Sequence, residues 1–189
     1  MPDIDLDQPF PDLLRDQIRR GLTAAQQYLA AAVYFDSHRL PQLARYSYGK
    51  STEHRSHALR MVQYLLDRDF EVQVGGLDDV QPTFESARGA VVFLLESERA
   101  RNAQITELAG TARASGDYLG EQFIQWFLKE QVEDVAGMTT LLNVIDRAAG
   151  DLFDVEDFIS RELRTTQRHD ISAPRMAGAD RSARPASSR

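Results

Sequence analysis

The sequence predicts an all-α protein: a four-helix bundle with one long crossover and a short fifth helix. Three observations lead there. Four stretches of the 189-residue chain place apolar or small residues at a spacing close to the period of one helix face. The connections between them run short, long, short; the long one, roughly Asp69 to Glu85, carries Gly75-Gly76, Asp78-Asp79 and Pro82 without any helical period. A last apolar group, Phe153, Phe158 and Ile159, follows Gly150-Asp151 and marks a short appended helix.

Residues 1–9, with Asp3, Asp5, Asp7 and two prolines, have no period and read as a disordered N-terminal arm. Phe10-Pro11 opens the first helix, since proline suits a first turn, and Leu14, Ile18, Ala25, Leu29 and Ala32 mark its inner face up to about Asp36. Gly21 sits in the middle of that stripe. A mid-helix glycine costs about 1 kcal/mol against alanine, so it either admits a close neighbour or stands where a larger group has been lost. Ser37 to Pro41 makes a turn, and the second helix runs from about Pro41 to Arg68 with Leu43, Ser47, His54, His57, Met61 and Leu65 on one face. The crossover that follows is too long for a hairpin and suits two parallel helices. The third helix, about Ser86 to Ala114, aligns Val91, Leu94, Ile105, Leu108 and Ala112. After Ser115-Gly116-Asp117, the fourth runs from about Tyr118 to Ala149 with Phe123, Phe127, Leu141 and Ile145 inward. The folded domain thus spans 10–163. From Arg164 onward six arginines oppose two aspartates among Ser, Ala and Pro, which reads as a disordered Arg-rich tail.

Composition bounds the function. A chain that is 42% hydrophobic and 27% charged can bury a core, and it contains no run of apolar residues long enough for a membrane span and no secretory signal. A cytoplasmic protein without a membrane partner is expected. Without cysteine, a metal can be held only by carboxylate, imidazole or amide groups, which favours iron, manganese or zinc. A net charge of −7 argues against a nucleic-acid partner, and the short basic tail supports at most weak, salt-sensitive binding to phosphates.

Ionisable groups interrupt the inner faces at comparable depth on three helices. His54 and His57 lie one turn apart on the second, Glu98 stands in the stripe of the third, and Glu130, Gln131 and Asp134 break the apolar face of the fourth. Burying unpaired charge costs several kcal/mol per group, so their convergence implies a bound cation rather than a bare polar cluster.

Several runs also carry a family resemblance: Thr23 to Tyr28, Ala32 to Asp36, Gly120 to Phe123, Gln125 to Leu128 and Glu130 to Glu133. They are similar to bacterial non-haem ferritins of the actinobacterial type, over about residues 10–163. The resemblance implies a ferritin-like bundle that self-assembles into a hollow shell of about 24 subunits, closed by symmetry. Such a shell stores iron as ferric mineral, with no haem, and each bundle holds a ferroxidase centre that oxidises Fe2+ to Fe3+. By the same resemblance, His57, Glu98 and Gln131 match the ligand histidine, a second-iron glutamate and the nearby glutamine. Glu53, Glu130 and Asp134 match carboxylates of a third iron site, with Glu133 close by, and Tyr28 and Trp126 match the flanking aromatics. Two ligand glutamates are absent: Gly21 and His54 stand in their places. A storage subunit with a degenerate ferroxidase centre is therefore expected, co-assembling with an active ferritin subunit. The alternatives are a remodelled single-metal site of His54, His57 and Glu98 that oxidises iron slowly, and a non-catalytic scaffold whose tail recruits an anionic partner.

Overall fold

The computed structural model describes residues 9–163 and 170–179. Five helices follow one another: α1 (Pro9–Ser37), α2 (Pro41–Asp67), α3 (Ala87–Ala114), α4 (Tyr118–Arg147) and α5 (Leu152–Glu162). The expected N-terminal arm lies outside the described residues apart from Pro9, the first residue of α1.

The helix ends follow side-chain chemistry. Ser86 accepts from the Gly89 amide at 3.0 Å to start α3, and Asp117 accepts from the Gly120 amide at 3.0 Å to start α4. Between those helices Gly116 takes φ of 71°, a left-handed value that glycine reaches without strain, and the Asp117 amide returns to the Ala112 carbonyl at 2.9 Å. The start of α2 is different, because Leu40 offers no capping side chain. Its free amides are covered from α5 instead: the Glu156 carboxylate accepts from Gln42 N at 2.7 Å and from Leu43 N at 2.9 Å. One charged side chain therefore caps α2 and fixes the short fifth helix, whose Val155 and Ile159 are buried in the same core.

The core divides into two apolar ends. One gathers Tyr28, Phe35, Leu43, Val91, Leu95, Met138 and Leu141 with α5. The other gathers Phe10, Leu14, Ile18, Met61, Leu65, Ile105, Leu108, Ile124 and Phe127. Residue numbers rise from the first end to the second along α2 and α3 and fall along α1 and α4, so α2 and α3 run parallel and the crossover joins them as expected. It is pinned along α1: Gln27 and Gln81 exchange two hydrogen bonds of 2.8 Å, Asp78 N donates to Thr23 Oγ1 at 3.1 Å, and Arg15 Nε donates to the Glu71 carbonyl at 2.8 Å.

Two expected inward residues face elsewhere, as does one of the apolar residues that mark the fifth helix. Leu29 is 38% exposed, and the adjacent Tyr28 takes the core position in its place. Ile124, not Phe123, is buried on α4, while Phe123 stacks on Tyr64 at 4.0 Å between ring centres. Phe153 is exposed and Val155 is inward. In each pair a neighbour one or two positions away satisfies the helical period better. Part of the segment read as a disordered tail is also placed. Residues 170–179 lie against α2 and α4: Ala177 N donates to the Leu59 carbonyl at 3.1 Å, Arg60 bonds the Pro174 carbonyl, and Trp126 Nε1 donates to Asp170 Oδ2 at 2.8 Å. The remainder of that tail lies outside the described residues.

Removing the Glu156 carboxylate leaves two helix-start amides without a partner, so Glu156→Ala should cost about 1–2 kcal/mol. It should also raise amide exchange selectively in α5. Unchanged exchange in α5, measured on the assembled protein, counts against this coupling.

Candidate metal centre

Between the two apolar ends runs a polar layer. Ser47, Lys50, His54 and His57 enter it from α2, Glu98 and Arg101 from α3, and Gln131 and Asp134 from α4, and all are buried. These are i, i+3 or i+4 neighbours on their helices, so each helix presents its polar groups as one stacked set.

Glu98 is the hub of this layer. Its Oε1 accepts from the Tyr28 hydroxyl at 2.8 Å and from His54 Nε2 at 2.9 Å, and its Oε2 accepts from Gln131 Nε2 at 2.8 Å. The Arg101 Nε stands 3.4 Å from Oε2. Burial alone would push the Glu98 carboxyl up, but His54, Arg101 and the Tyr28 hydrogen bond hold it well below the usual carboxylate range. The carboxylate is thus ionised with both oxygens engaged. Burial, reinforced by the Arg101 charge, keeps His54 below its ordinary imidazole value against the pull of Glu98. A neutral His54 that donates through Nε2 leaves Nδ1 bare, and that atom is buried without a partner among the described residues. Its ring stacks on Tyr28 with centres 4.9 Å apart.

A second charged group lies beside the first. Lys50 Nζ contacts Glu53 Oε1 and Oε2 at 3.0 Å each and reaches Asp134 Oδ1 as well. Burial works against its charge, yet Asp134 and Glu53 outweigh it and push the ammonium pKa up. Lys50 therefore remains a cation held between two carboxylates.

His57 behaves unlike His54. Its ring meets Trp126 and Phe127 edge-on, with centres 5.2 and 5.7 Å away, and burial together with the positive charges around it lowers its pKa well below 6.5. One ring nitrogen shares a space with carboxylate oxygens of Glu53 and Glu130, all within 4.8 Å of one another. That trio has the size of a single cation site. Glu130 is pushed up by burial and then by Glu53, Glu133, Asp134 and Asp170, the mark of acids crowded around a space that a cation would relieve.

The sequence-derived residues therefore fall into three groups. Glu53, His57 and Glu130 come together as one cluster. His54 and Gln131 both bond to Glu98, and Asp134 is paired with Lys50. The set expected for a single ion, His54 with His57 and Glu98, is split, because His54 and Glu98 satisfy each other. Two cations of the chain itself also enter this layer: Lys50 contacts Glu53 and Asp134, and Arg101 stands 3.4 Å from Glu98. Sequence reasoning missed both, although Lys50 lies between Ser47 and His54 on the same stripe and Arg101 one turn beyond Glu98. Gly21 proves to be a close approach, since a Cβ built there would come 3.3 Å from Ala58 Cβ on α2.

Residues 11–148 match the Ferritin family, described as a ferritin-like domain. The chain is 53% identical over 173 residues to ferritin BfrB of Mycolicibacterium smegmatis, covering 92% of this chain and 95% of that one. It is 48% identical over 169 residues to ferritin BfrB of Mycobacterium tuberculosis strain Erdman, covering 89% and 93%. Among solved structures, an open-pore ferritin of the archaeon Archaeoglobus fulgidus superposes with a TM-score of 0.79 at 24% identity, over 82% of this chain and 97% of that one, a likeness of fold.

Protonation of the polar layer opposes folding. His54, His57 and Glu98 all have lowered pKa values in the folded chain, so each contributes stability that is present above its unfolded value and lost as pH falls. The loss should begin below the ordinary imidazole value of 6.5 and deepen through the carboxyl range near 4.5. Urea midpoints at fixed protein concentration should drop between neutral pH and pH about 5 and drop less in His57→Phe. A variant with the same pH slope as wild type removes His57 from this account.

Proposed function

This chain belongs to the ferritin family, and on that premise we propose that it builds part of a hollow multi-subunit shell that stores iron while its own bundle lacks a working two-iron oxidation centre. The observation that carries the second half is the state of the buried carboxylates. Glu98 is engaged by His54, Tyr28, Gln131 and Arg101, and Asp134 is engaged by Lys50. Iron at Glu98 would have to displace donors from both carboxylate oxygens, and iron at Asp134 would compete with Lys50 on Oδ1, although Oδ2 has no partner. Gly21 offers no ligand atom, and a neutral imidazole at position 54 cannot bridge two ions as a carboxylate does. The residues present do not fit a pair of irons, and no oxidation step is assigned to one.

Iron is cargo in this reading. Glu53, Glu130 and Glu133 with Asp134 form an acidic patch beside Trp126, and His57 completes a trio of ligand atoms for a single ion. Ferric mineral would then grow from iron oxidised slowly here or faster in a partner ferritin subunit of a mixed shell. Large apolar residues are left in the open, with Tyr118 79% exposed, Leu119 63%, Val132 66% and Phe153 88%, and a shell would offer them neighbours to pack against. A closed particle of about 24 subunits in the cytoplasm is the corresponding assembly. None of the described helices is long and apolar enough to cross a membrane.

Stopped-flow oxidation of Fe2+ in air tests the centre. The purified shells, confirmed as hollow by electron microscopy, should take up iron slowly and show no fast phase that saturates at two irons per chain. Such a fast phase in the wild type would falsify the reading.

Cobalt titration tests the single-ion trio. The protein should bind about one Co2+ per chain, weakened about tenfold or more in Glu130→Gln. Lys50→Met should strengthen it, because the ammonium competes for Glu53. Identical titrations for all three proteins argue against the trio.

A further inference from the structure

The polar layer leaves one charge unsatisfied. Arg101 is nine-tenths buried, and a guanidinium carries five N–H donors that need acceptors. Its Nε is buried without a hydrogen-bond partner, and its one ionic contact among the described residues is Glu98 Oε2 at 3.4 Å. Glu98 is a poor counter-charge for it, because its two oxygens already accept from Tyr28, His54 and Gln131.

Arg101 lines a cavity beside Gly21. The centre of a water-sized sphere can move through about 10 Å³ there, so the void accepts a species at least as large as one water. Gln17, His57 and Gln131 supply its other polar walls, and Met61, Ile105 and Phe127 its apolar ones. No carboxylate lines it. The cavity lies beside the position where the resemblance to ferritins places a ligand glutamate and this chain has glycine. Position 54, where a second glutamate is expected, holds a neutral imidazole. Two basic side chains, Arg101 and Lys50, are buried at this level of the bundle.

We propose that this cavity is an anion site that takes a small monovalent inorganic anion of halide size on Arg101, with the Gln17 amide and the His57 ring as further polar contacts. The anion satisfies the guanidinium at low dielectric, where an unpaired charge is costly and a charge-assisted hydrogen bond is strong. The apolar walls and the small volume select against large or multiply charged anions. The site binds no iron, so its failure leaves the storage reading standing, and failure of iron storage leaves this site untouched.

The test uses the assembled full-length protein and bromide. Melting is followed in sodium bromide against sodium gluconate at equal ionic strength, and crystals grown in bromide are examined by anomalous scattering. The wild type should melt higher in bromide, with an effect that saturates, and should show one anomalous peak within hydrogen-bonding distance of Arg101. Arg101→Gln should lose both signals, and Arg101→Lys should keep the peak with about tenfold weaker binding. If Arg101→Gln does not fold, Gln17→Leu takes its place and should weaken the bromide effect several-fold. Equal melting in the two salts with water at the site overturns the proposal. A peak that survives in Arg101→Gln, or is unaffected by Gln17→Leu, overturns it as well.

Discussion

The constraint on which this bundle depends is the burial of the Glu98 carboxylate. A charge at 0% exposure persists only where donors and counter-charges surround it. Here one residue from each of three helices donates to it: Tyr28 from α1, His54 from α2 and Gln131 from α4. The four helices are thereby held in one register at mid-height, and the two apolar clusters pack above and below that level. Close contact of α1 with α2 at Gly21 and Ala58 allows Tyr28 to reach across and stack on His54.

The layer also bears on how a metal could be held. A site for two ions needs carboxylates whose charge only the ions compensate. In this chain the compensation is covalently attached. Lys50 sits between Glu53 and Asp134, and Arg101 sits beside Glu98. The Lys50 contacts offset the charge of the acids beside it and lower the gain from binding a metal there. On the outer side Glu53, His57 and Glu130 place ligand atoms within 4.8 Å of one another, and there burial and neighbouring acids raise the Glu130 carboxyl while Lys50 also engages Glu53. The segment 170–179 lies on that side, with Asp170 fixed by Trp126 and Ser172 and its pKa held to about 2.

The helices, their order and the crossover were legible in the sequence, because a 3.6-residue period and glycine, proline and aspartate breaks act locally. Sequence alone also marked which helices bring polar groups inward. Single rotations escaped it, as at Leu29 and Tyr28 or Phe123 and Ile124, where adjacent apolar residues fit almost the same stripe. Packing against the neighbouring helix decides between them, and that is not encoded within either stretch.

The pairing of charges was decided only by tertiary structure. Lys50 and Arg101 lie on the inner stripes, but nothing in a single helix tells whether a long cationic side chain will extend to solvent or turn toward an acid. Asp134 is 84 positions from Lys50 and Glu98 is 44 from His54, and these contacts exist only because the crossover places α3 parallel to α2. The sequence by itself determined that charge would be buried at the middle of this bundle. The fold determined that side chains of the same chain neutralise it, because an ion pair depends on distances across helices that no local pattern specifies.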